Sequence, residues 1–243
     1  MVARTAIITG ASRGIGAAVA ERLAQDGFSV VVNYAGSEAE ASALVTKIKA
    51  GGGHAITVQA DVSKAVEVAR MFDATEKEFG AVDVLVNNAG IMPLSSVAAT
   101  DDATFDRVIA VNLKGTFNGL REAAKRLRTG GRIINFSTSV IGLRLETYGI
   151  YAATKSAIET LTAILSKELR GRSITVNAIA PGPTATDLFL NGKSPELIER
   201  FAKMNPLERL GTPQDIAAAV AFLAGPDGSW INGQVLRANG GMV

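Results

Sequence analysis

Cysteine is absent from the 243-residue sequence, and His54 is its only histidine. Disulfides, cysteine nucleophiles and thiolate metal sites are therefore excluded. A serine–histidine triad or a multi-histidine metal site would have to be built around one residue, and His54 stands at a predicted strand start that favours a structural or exposed role. Because no cluster of acidic side chains compensates, we expect no catalytic metal.

Charge of one sign and long apolar runs are also scarce. Lys and Arg number 25 against 23 Asp and Glu, a net charge of +2, and no basic block is long enough for a nucleic-acid or membrane-surface patch. No apolar stretch approaches the ~18–20 residues that span a bilayer. The first apolar run is too short for a signal peptide. We therefore expect a soluble cytoplasmic protein with no nucleic-acid or membrane partner.

Apolar residues make up 47% of the chain, which is ample for one large core. Short β-branched runs alternate with longer amphipathic stretches. The predicted strands are 5–9, 30–32, 56–58, 82–86, 132–136, 174–179 and 234–236, and the predicted helices cover roughly 15–26, 37–50, 64–79, 103–128, 152–170 and 213–224. Strands that are apolar on both faces and separated by helices indicate an α/β fold, a single-domain doubly wound (Rossmann) parallel sheet of about seven strands with helices on both faces.

One segment interrupts this alternation. Residues 183–210 carry polar and turn residues around a weak helix pattern at 196–203. We expect this insertion to be a small lid over the substrate. No linker or repeat divides the rest of the sequence, so residues 1–243 are predicted to form one dinucleotide-binding domain.

A glycine-rich turn, TGASRGIG at residues 9–16, follows the first predicted strand. Gly10, Gly14 and Gly16 permit a tight turn and let a diphosphate approach backbone N–H groups at the positive end of the next helix. Three glycines alone would also suit a plain strand-to-helix turn. Their position at the start of a βαβ unit favours dinucleotide binding.

The Gly-x3-Gly-x-Gly spacing resembles that of the short-chain dehydrogenase/reductase family, and further similar motifs follow in order over essentially the whole chain. They are Asp61-Val62, Asn87-Asn88-Ala89-Gly90, Asn112, Ser139, Tyr151-Ala152-Ala153-Thr154-Lys155, and Pro181-Gly182 with Thr186. The sequence is most similar to bacterial 3-oxoacyl-acyl-carrier-protein reductases and related carbonyl reductases. The resemblance implies hydride transfer between a nicotinamide cofactor and a carbonyl compound.

Tyr151 and Lys155 are four residues apart on a predicted helix, so their side chains project from one face. An isolated tyrosine has a pKa near ~10, and a nearby ammonium favours the phenolate. We therefore expect Lys155 to lower the pKa of Tyr151. The resemblance implies that Tyr151 exchanges a proton with the substrate oxygen and that Lys155 also hydrogen-bonds the nicotinamide ribose.

The resemblance gives Ser139 the task of holding the carbonyl oxygen beside Tyr151 and stabilising developing negative charge. Three hydroxyl residues stand in a row at 137–139, and Ser139 precedes Tyr151 by 12 residues, one fewer than the closest relatives commonly have. Ser139 is preferred because it matches the family's Ser-x-x-Gly with a one-residue deletion in the next loop. Thr138 is the alternative.

Two further residues are expected behind and beside this site. The amide of Asn112 could bend its helix or hold a water that leads protons toward Lys155, and the resemblance implies the water. Tyr148, three residues before Tyr151, has no lysine four residues on and is predicted to be a wall of the substrate pocket. Trp230 is expected in the core or at a subunit contact.

The end of the second predicted strand bears on the choice of cofactor. Enzymes that choose NAD commonly place an acidic side chain there, whereas this strand ends in Asn33 and Tyr34 with no carboxylate until Glu38. Arg13 in the glycine turn offers a planar cation, and Asn33 and Ser37 offer hydrogen-bond donors, to a 2′-phosphate. The sequence therefore predicts NADP(H).

The remaining cofactor contacts are implied by the resemblance. Residues 61–62 would flank the adenine, residues 88–90 would border the ribose and diphosphate, and Thr186 would fix the nicotinamide carboxamide. Thr184 replaces an aliphatic residue of the relatives, so its side chain has no assigned role. The full expected set is Gly10, Ser12, Arg13, Gly14, Ile15, Gly16, Asn33, Tyr34, Ser37, Asp61, Val62, Asn88, Ala89, Gly90, Tyr151, Lys155, Pro181, Gly182, Thr184 and Thr186.

The expected function is NADPH-dependent reduction of a ketone carbonyl, in a 3-oxoacyl thioester or another carbonyl compound, by a Ser-Tyr-Lys site in a homotetramer. The alternative is an NAD(P)-dependent dehydrogenase that oxidises a secondary alcohol such as a sugar or steroid-like alcohol. A regulator that binds NADP without turnover is a third hypothesis, which the intact Ser139, Tyr151 and Lys155 disfavour. Apolar walls predicted at 92–94, 140–148 and 188–201 suit an acyl chain or a cyclic ketone better than a bare sugar.

Overall fold

The computed structural model describes residues 3–243, which contain one seven-stranded parallel sheet with helices on both faces. The strands are β1 (Thr5–Ile8), β2 (Ser29–Tyr34), β3 (His54–Gln59), β4 (Val84–Asn87), β5 (Arg132–Phe136), β6 (Thr175–Pro181) and β7 (Val235–Ala238). Their order across the sheet is β3-β2-β1-β4-β5-β6-β7. The chain starts in the middle of the sheet, winds outward to β3, crosses back to β4 and continues outward to β7. The predicted fold class is confirmed.

The helices connect these strands. They are α1 (Gly14–Gln25), α2 (Glu38–Ala50), α3 (Ala65–Phe79), α4 (Asp102–Val108), α5 (Gly115–Arg126), α6 (Val140–Leu143), α7 (Gly149–Glu168), α8 (Asp187–Leu190), α9 (Pro195–Lys203) and α10 (Pro213–Ala224). A 3₁₀ turn lies at Val97–Ala99, and a π-helical segment, Ile109–Lys114, joins α4 to α5. The single helix predicted at 103–128 is therefore three consecutive segments.

The sheet separates two apolar cores, because neighbouring residues on a strand point to opposite faces. Ile8 and Val32 pack with side chains of α1, α2 and α10 on one face. Ile7 and Val31 pack with side chains of α3, α5 and α7 on the other face. Each fully buried aliphatic side chain contributes about 1.5–3 kcal/mol to this packing. The strands are nearly all apolar because both of their faces are covered.

The arrangement of strands also locates a crevice. Beyond β1 and β4 the connections leave toward opposite edges of the sheet, and such a switch point opens a crevice at the carboxyl ends of the strands. The glycine turn follows β1, residues 88–90 follow β4, residues 137–139 follow β5, and residues 182–186 follow β6. Within residues 3–243, no helix combines the length and apolarity that crossing a membrane requires.

Candidate active site

The glycine-rich turn is pressed against the loop that follows β4. Gly10 has a φ of +62°, and a Cβ there would lie 2.9 Å from the Cα of Ala89. A Cβ on Gly16 would lie 2.5 Å from the carbonyl oxygen of Gly10. The hydroxyl oxygen of Thr9 accepts hydrogen bonds from the N–H groups of Asn88 and Ala89, both at 3.0 Å. Only glycine fits at these two positions, and the two loops are held as one unit.

The amino end of α1 faces the crevice without a side-chain cap. Arg13 precedes the helix in extended backbone, its side chain makes no capping hydrogen bond, and the first turn carries no acidic residue. The first N–H groups of a helix carry a partial positive charge and have no intrahelical partner. This end of α1 can therefore bind an anionic group such as a diphosphate.

A groove of about 700 Å³ extends from this turn along the carboxyl edge of the sheet. It is lined by fifteen of the expected cofactor residues: Gly10, Ser12, Arg13, Gly14, Ile15, Gly16, Asn33, Tyr34, Ser37, Asp61, Val62, Asn88, Ala89, Gly90 and Thr186. The other five, Tyr151, Lys155, Pro181, Gly182 and Thr184, line an adjoining cavity. Ile91, Arg107 and Val111 also line the groove, although no motif of the sequence indicates them. Ile91 lines it from the loop after β4, Arg107 from α4 and Val111 from the π-helical segment.

Asn33 does not fit the role expected of its side chain. Its Oδ1 accepts from the N–H of Gly10 at 3.1 Å, and its Nδ2 donates to the carbonyls of Ala60 at 3.0 Å and Val58 at 3.2 Å. The buried amide therefore has no N–H left for a 2′-phosphate, and it joins the glycine turn to β3 instead. Arg13, which is exposed, and Ser37, whose hydroxyl makes no capping bond to α2, remain available donors.

Asp61 and Val62 are held at the far end of the groove by local contacts. The Asp61 carboxylate accepts from the backbone N–H of Ser63 at 3.0 Å and from its hydroxyl at 2.7 Å. Val62 packs on Gly115, where a Cβ would lie 2.7 Å from its Cγ2. These contacts fix the loop after β3 as a wall.

An apolar cavity of about 130 Å³ adjoins the groove, and Ile15, Gly90 and Thr186 are among the residues that line both. Tyr151, Lys155, Thr138 and Ser139 stand together in its wall. Leu143, Leu145, Tyr148, Phe189 and Phe201 are among its apolar lining residues. Tyr148 packs edge-on against Tyr151, with ring centroids 6.5 Å apart. Tyr148 thus has the wall position that the sequence analysis predicted.

Tyr151 and Lys155 share one face of α7, but the electrostatics differ from the expectation. Desolvation raises the pKa of Tyr151 to about 12, although the nearby Thr138 hydroxyl acts to lower it. Lys155 has its Nζ 5.7 Å from the centre of the Tyr151 ring and donates to the carbonyl of Phe136 at 2.8 Å. Its burial lowers its own pKa to about 8. The Tyr151 pKa is therefore raised rather than lowered as expected, because burial disfavours the phenolate and Lys155 is not among the groups that shift it.

The three hydroxyls at 137–139 have separate partners. Ser137 donates to the Glu159 carboxylate at 2.6 Å. Thr138 accepts from the N–H of Val140 at 3.3 Å. Ser139 donates to the carbonyl of Ala180 at 3.1 Å and accepts from Nδ2 of Asn239 at 2.9 Å. Asn239, which follows β7, had no role in the sequence analysis.

Asn112 lies fully buried in the π-helical segment. Its amide pairs with the backbone of Ile91, accepting from the N–H and donating to the carbonyl, each at 2.9 Å. A Cβ on Gly90 would lie 3.3 Å from Oδ1 of Asn112 and 3.7 Å from Nζ of Lys155. Asn112 and Lys155 therefore converge at Gly90. The amide binds backbone here, and a π-helical segment is a frequent feature of functional sites.

The segment after β6 forms the outer wall of the cavity. The hydroxyl of Thr184 donates to the carbonyl of Gly182 at 2.9 Å, so this hydroxyl is already hydrogen-bonded within the segment. The backbone of Thr184 forms a parallel β-bridge with Gly211. Phe189 and Phe201 meet edge-to-face with centroids 5.3 Å apart. Lys193 lies 4.5 Å over the Phe189 ring.

Two residues that the sequence analysis set aside lie away from both cavities. His54 begins β3 and is exposed, and Trp230 is 97% exposed in the single chain rather than in the core. Within the described part of the chain, no three His, Asp or Glu side chains lie close enough to hold a metal ion.

The chain matches the family described as Enoyl-(Acyl carrier protein) reductase over residues 10–243. It is 46% identical over 250 residues to a short-chain type dehydrogenase/reductase of Picea abies, covering 99% of this chain and 92% of that protein. It is 44% identical to an NADPH-dependent aldehyde reductase-like protein, chloroplastic, of Arabidopsis thaliana (100% and 95% covered). It is 42% identical to a 3-oxoacyl-[acyl-carrier-protein] reductase of Staphylococcus epidermidis (98% of each).

Solved structures are also similar to this chain over nearly its whole length. A dehydrogenase/reductase from Sinorhizobium meliloti 1021 superposes with a TM-score of 0.95 at 37% identity, with 100% of this chain and 96% of that chain covered. A short chain dehydrogenase from Burkholderia cenocepacia J2315 in complex with NADP superposes with a TM-score of 0.93 at 37% identity, with 98% and 97% covered.

Proposed function

The chain belongs to the short-chain dehydrogenase/reductase family of oxidoreductases, and on that premise we propose that it uses NADPH to reduce the carbonyl group of a small apolar substrate. The observation that carries the proposal is the junction of the groove with the apolar cavity, which share Ile15, Gly90 and Thr186. A dinucleotide whose diphosphate lies at the glycine turn would reach from the groove into the cavity that Tyr151 lines. The cofactor, when bound, supplies the hydride for the carbonyl carbon.

The preference for NADP(H) over NAD(H) is supported by charge. The exposed guanidinium of Arg13 and the uncommitted hydroxyl of Ser37 border the groove beside the end of β2, and β2 ends without a carboxylate. A 2′-phosphate would gain charge-assisted hydrogen bonds there. The Burkholderia structure contains NADP, and the Arabidopsis relative is NADPH-dependent, which supports the same cofactor.

Tyr151 is the proposed proton donor. Its pKa of about 12 keeps its hydroxyl protonated at neutral pH, as reduction requires when the carbonyl oxygen gains negative charge. Lys155, whose pKa of about 8 leaves it mainly protonated at pH 7, stabilises the tyrosinate that remains after the transfer. A hydroxyl of the 137–139 segment orients the carbonyl oxygen. Asn112 holds the loop beside Lys155 in place through its hydrogen bonds to the backbone of Ile91.

The substrate side is apolar. Leu143, Leu145, Phe189 and Phe201 line the cavity, and they suit an aryl, alicyclic or acyl carbonyl compound better than a hydrated sugar. The named activities of the Arabidopsis and Staphylococcus relatives, aldehyde reduction and 3-oxoacyl reduction, agree with that class. We also propose that residues 183–210 act as a lid of the single domain, because Phe189 and Phe201 reach the cavity from α8 and α9.

A homotetramer is proposed as the working assembly. Phe105, Phe117 and Ile164, on α4, α5 and α7, are large apolar side chains that are each more than 40% exposed in the single chain, and Trp230 is 97% exposed. Exposed apolar groups of this size are typical of protein interfaces. Light scattering after size exclusion would give about four times the chain mass of 25.2 kDa; a monomer would contradict the proposal.

Initial rates of NADPH and NADH oxidation, measured against a short 3-oxoacyl thioester and a panel of cyclic and aryl ketones and aldehydes, test the function. We expect NADPH to be preferred and at least one carbonyl class to react. Tyr151→Phe should bind NADPH normally and lose most turnover, whereas Tyr148→Phe, the same chemical change on the neighbouring ring, should keep most of its kcat. Near-normal turnover by Tyr151→Phe would refute the proposed proton donor.

A further inference from the structure

The hydroxyl of Ser139 both donates and accepts a hydrogen bond within the protein. Nδ2 of Asn239 can only donate, so the Ser139 oxygen must accept that hydrogen bond, at 2.9 Å. The one hydroxyl hydrogen then goes to the carbonyl of Ala180, at 3.1 Å. Ser139 has no second hydrogen with which to meet a substrate oxygen.

Two further hydrogen bonds oppose a 180° rotation of the Asn239 side-chain amide, which would remove the donor from Ser139. Its Oδ1 accepts from the N–H of Gly241 at 3.0 Å, and its Nδ2 also donates to the carbonyl of Val243 at 3.3 Å. Gly182 packs so closely on Asn239 that a Cβ would lie 2.9 Å from its Cα. A flipped amide would place Oδ1 against the Val243 carbonyl and Nδ2 against the Gly241 N–H, losing both bonds.

Thr138 is in the opposite situation. Its hydroxyl oxygen accepts from the N–H of Val140, and its hydrogen is not committed to any backbone carbonyl in the described part of the chain. The side chain stands in the cavity wall, which Tyr151 also lines. The O–H groups of Thr138 and Tyr151 are therefore both available to a carbonyl oxygen bound in this cavity.

We propose that Thr138, rather than Ser139, donates the hydrogen bond that holds the substrate's carbonyl oxygen beside Tyr151, while Asn239 and the Ala180 carbonyl fix Ser139 as part of the wall. The proposal rests on the proposed carbonyl reduction. It exchanges the roles that the sequence motif alone had assigned to the two neighbouring hydroxyls. Because a donor aimed at the developing oxyanion acts in the transition state, its loss should reduce kcat more than it raises KM.

Four variants of the full-length enzyme test this. Thr138→Val keeps the shape and removes the hydroxyl, Thr138→Ser keeps the hydroxyl and removes the methyl group, Ser139→Ala removes the neighbouring hydroxyl, and Tyr151→Phe reports on the proposed proton donor. For each variant, kcat and KM are measured with NADPH and the best carbonyl substrate. NADPH affinity from fluorescence titration and the melting temperature show whether the fold and the groove are intact.

We expect Thr138→Val to lose about 10²–10³ in kcat with NADPH affinity kept, and Thr138→Ser to recover most of it. Ser139→Ala, which also alters the cavity wall, should lose at least about tenfold less kcat than Thr138→Val does. The inference alone is overturned if Ser139→Ala falls as far as Tyr151→Phe while Thr138→Val stays active. If the wild-type enzyme reduces no carbonyl, or if Tyr151→Phe stays active, the proposed function fails and this inference fails with it.

Discussion

The side-chain amide of Asn112 makes two backbone hydrogen bonds to a single residue, Ile91, accepting from its N–H and donating to its carbonyl. Ile91 lies in the loop after β4, which lines the groove, and Asn112 lies in the π-helical segment between α4 and α5. The pair therefore ties a helix on one face of the sheet to the crevice wall. Gly90, next to Ile91, is the point where Asn112 approaches Lys155.

Replacing Asn112 by Ala should affect both stability and turnover. Two part-buried backbone groups of Ile91 would lose their partners, which costs about 2–3 kcal/mol of unfolding free energy, and the loop beside Lys155 would loosen. Asn177→Ala is the matched control, because the Asn177 amide makes a similar pair of bonds to Ile231 and Gln234 and lines neither the groove nor the cavity. Urea unfolding should show similar losses in both variants, with kcat reduced only in Asn112→Ala. Equal kcat in both variants would contradict this role.

Replacing Lys155 by Met should abolish turnover and make the fold more stable at neutral pH. Burial lowers the lysine pKa from 10.5 in the unfolded chain to about 8 in the folded one. Below pH 8 both states carry the proton, and the folded state bears the full cost of a buried charge. Between pH 8 and 10.5 the unfolded state binds more protons, so wild-type stability rises with pH.

The melting-temperature gain of Lys155→Met should therefore be a few degrees at pH 7 and should shrink toward zero as the pH approaches 10.5. Thermal unfolding by circular dichroism at pH 6.5, 8, 9 and 10 measures it. A variant that is less stable than wild type at every pH would show that the bond from Lys155 to the Phe136 carbonyl outweighs the cost of the buried charge.

Arg13→Ala should weaken NADPH more than NADH. The guanidinium is exposed at the entrance to α1 and borders the groove, where it can pair with a 2′-phosphate but has nothing comparable to pair with in NADH. We expect the KM for NADPH to rise about tenfold, which corresponds to about 1.4 kcal/mol, with the KM for NADH nearly unchanged. Parallel steady-state kinetics with the two cofactors provide the internal control. An equal effect on both would mean that Arg13 contacts a part that the two cofactors share.

Thr147→Gly should stabilise the protein. Thr147 is β-branched and has a φ of +69°, in the loop between α6 and α7 next to Tyr148, and such a conformation costs about 1–2 kcal/mol for a residue with a Cβ. Ser173, with a φ of +51°, has the same kind of strain in the turn before β6, away from the cavity. Both glycine variants should melt about 2–4 °C higher, and only Thr147→Gly should change the substrate KM. A lower melting temperature for both would refute the strain argument.

The sequence was a good guide where a pattern has one physical cause. β5 ends at the predicted residues because buried parallel strands are apolar on both faces, and the expected cofactor residues line the groove and cavity because the motifs follow the strands in order. It failed where the outcome depends on partners that are distant in the chain. The residues around Asn33 do not indicate that its side-chain amide donates to the carbonyl of Ala60. The residues around Ser139 do not indicate that Asn239, 100 residues later, donates to the Ser139 hydroxyl. The pKa of Tyr151 was misjudged because helical spacing gives the distance to Lys155 but not the depth of burial.

The contact from Asn239 to Ser139 also has a consequence for biosynthesis. Asn239 follows β7, the strand at the outer end of the sheet, so the wall around Ser139 is completed only after all six of the other strands of the sheet have been translated. Parallel pairing of strands that are distant in sequence forms slowly. A ribosome-bound chain in which β7 has not yet been made can form the glycine turn and the groove but has an incomplete cavity wall. During refolding, cofactor binding should therefore return before turnover does.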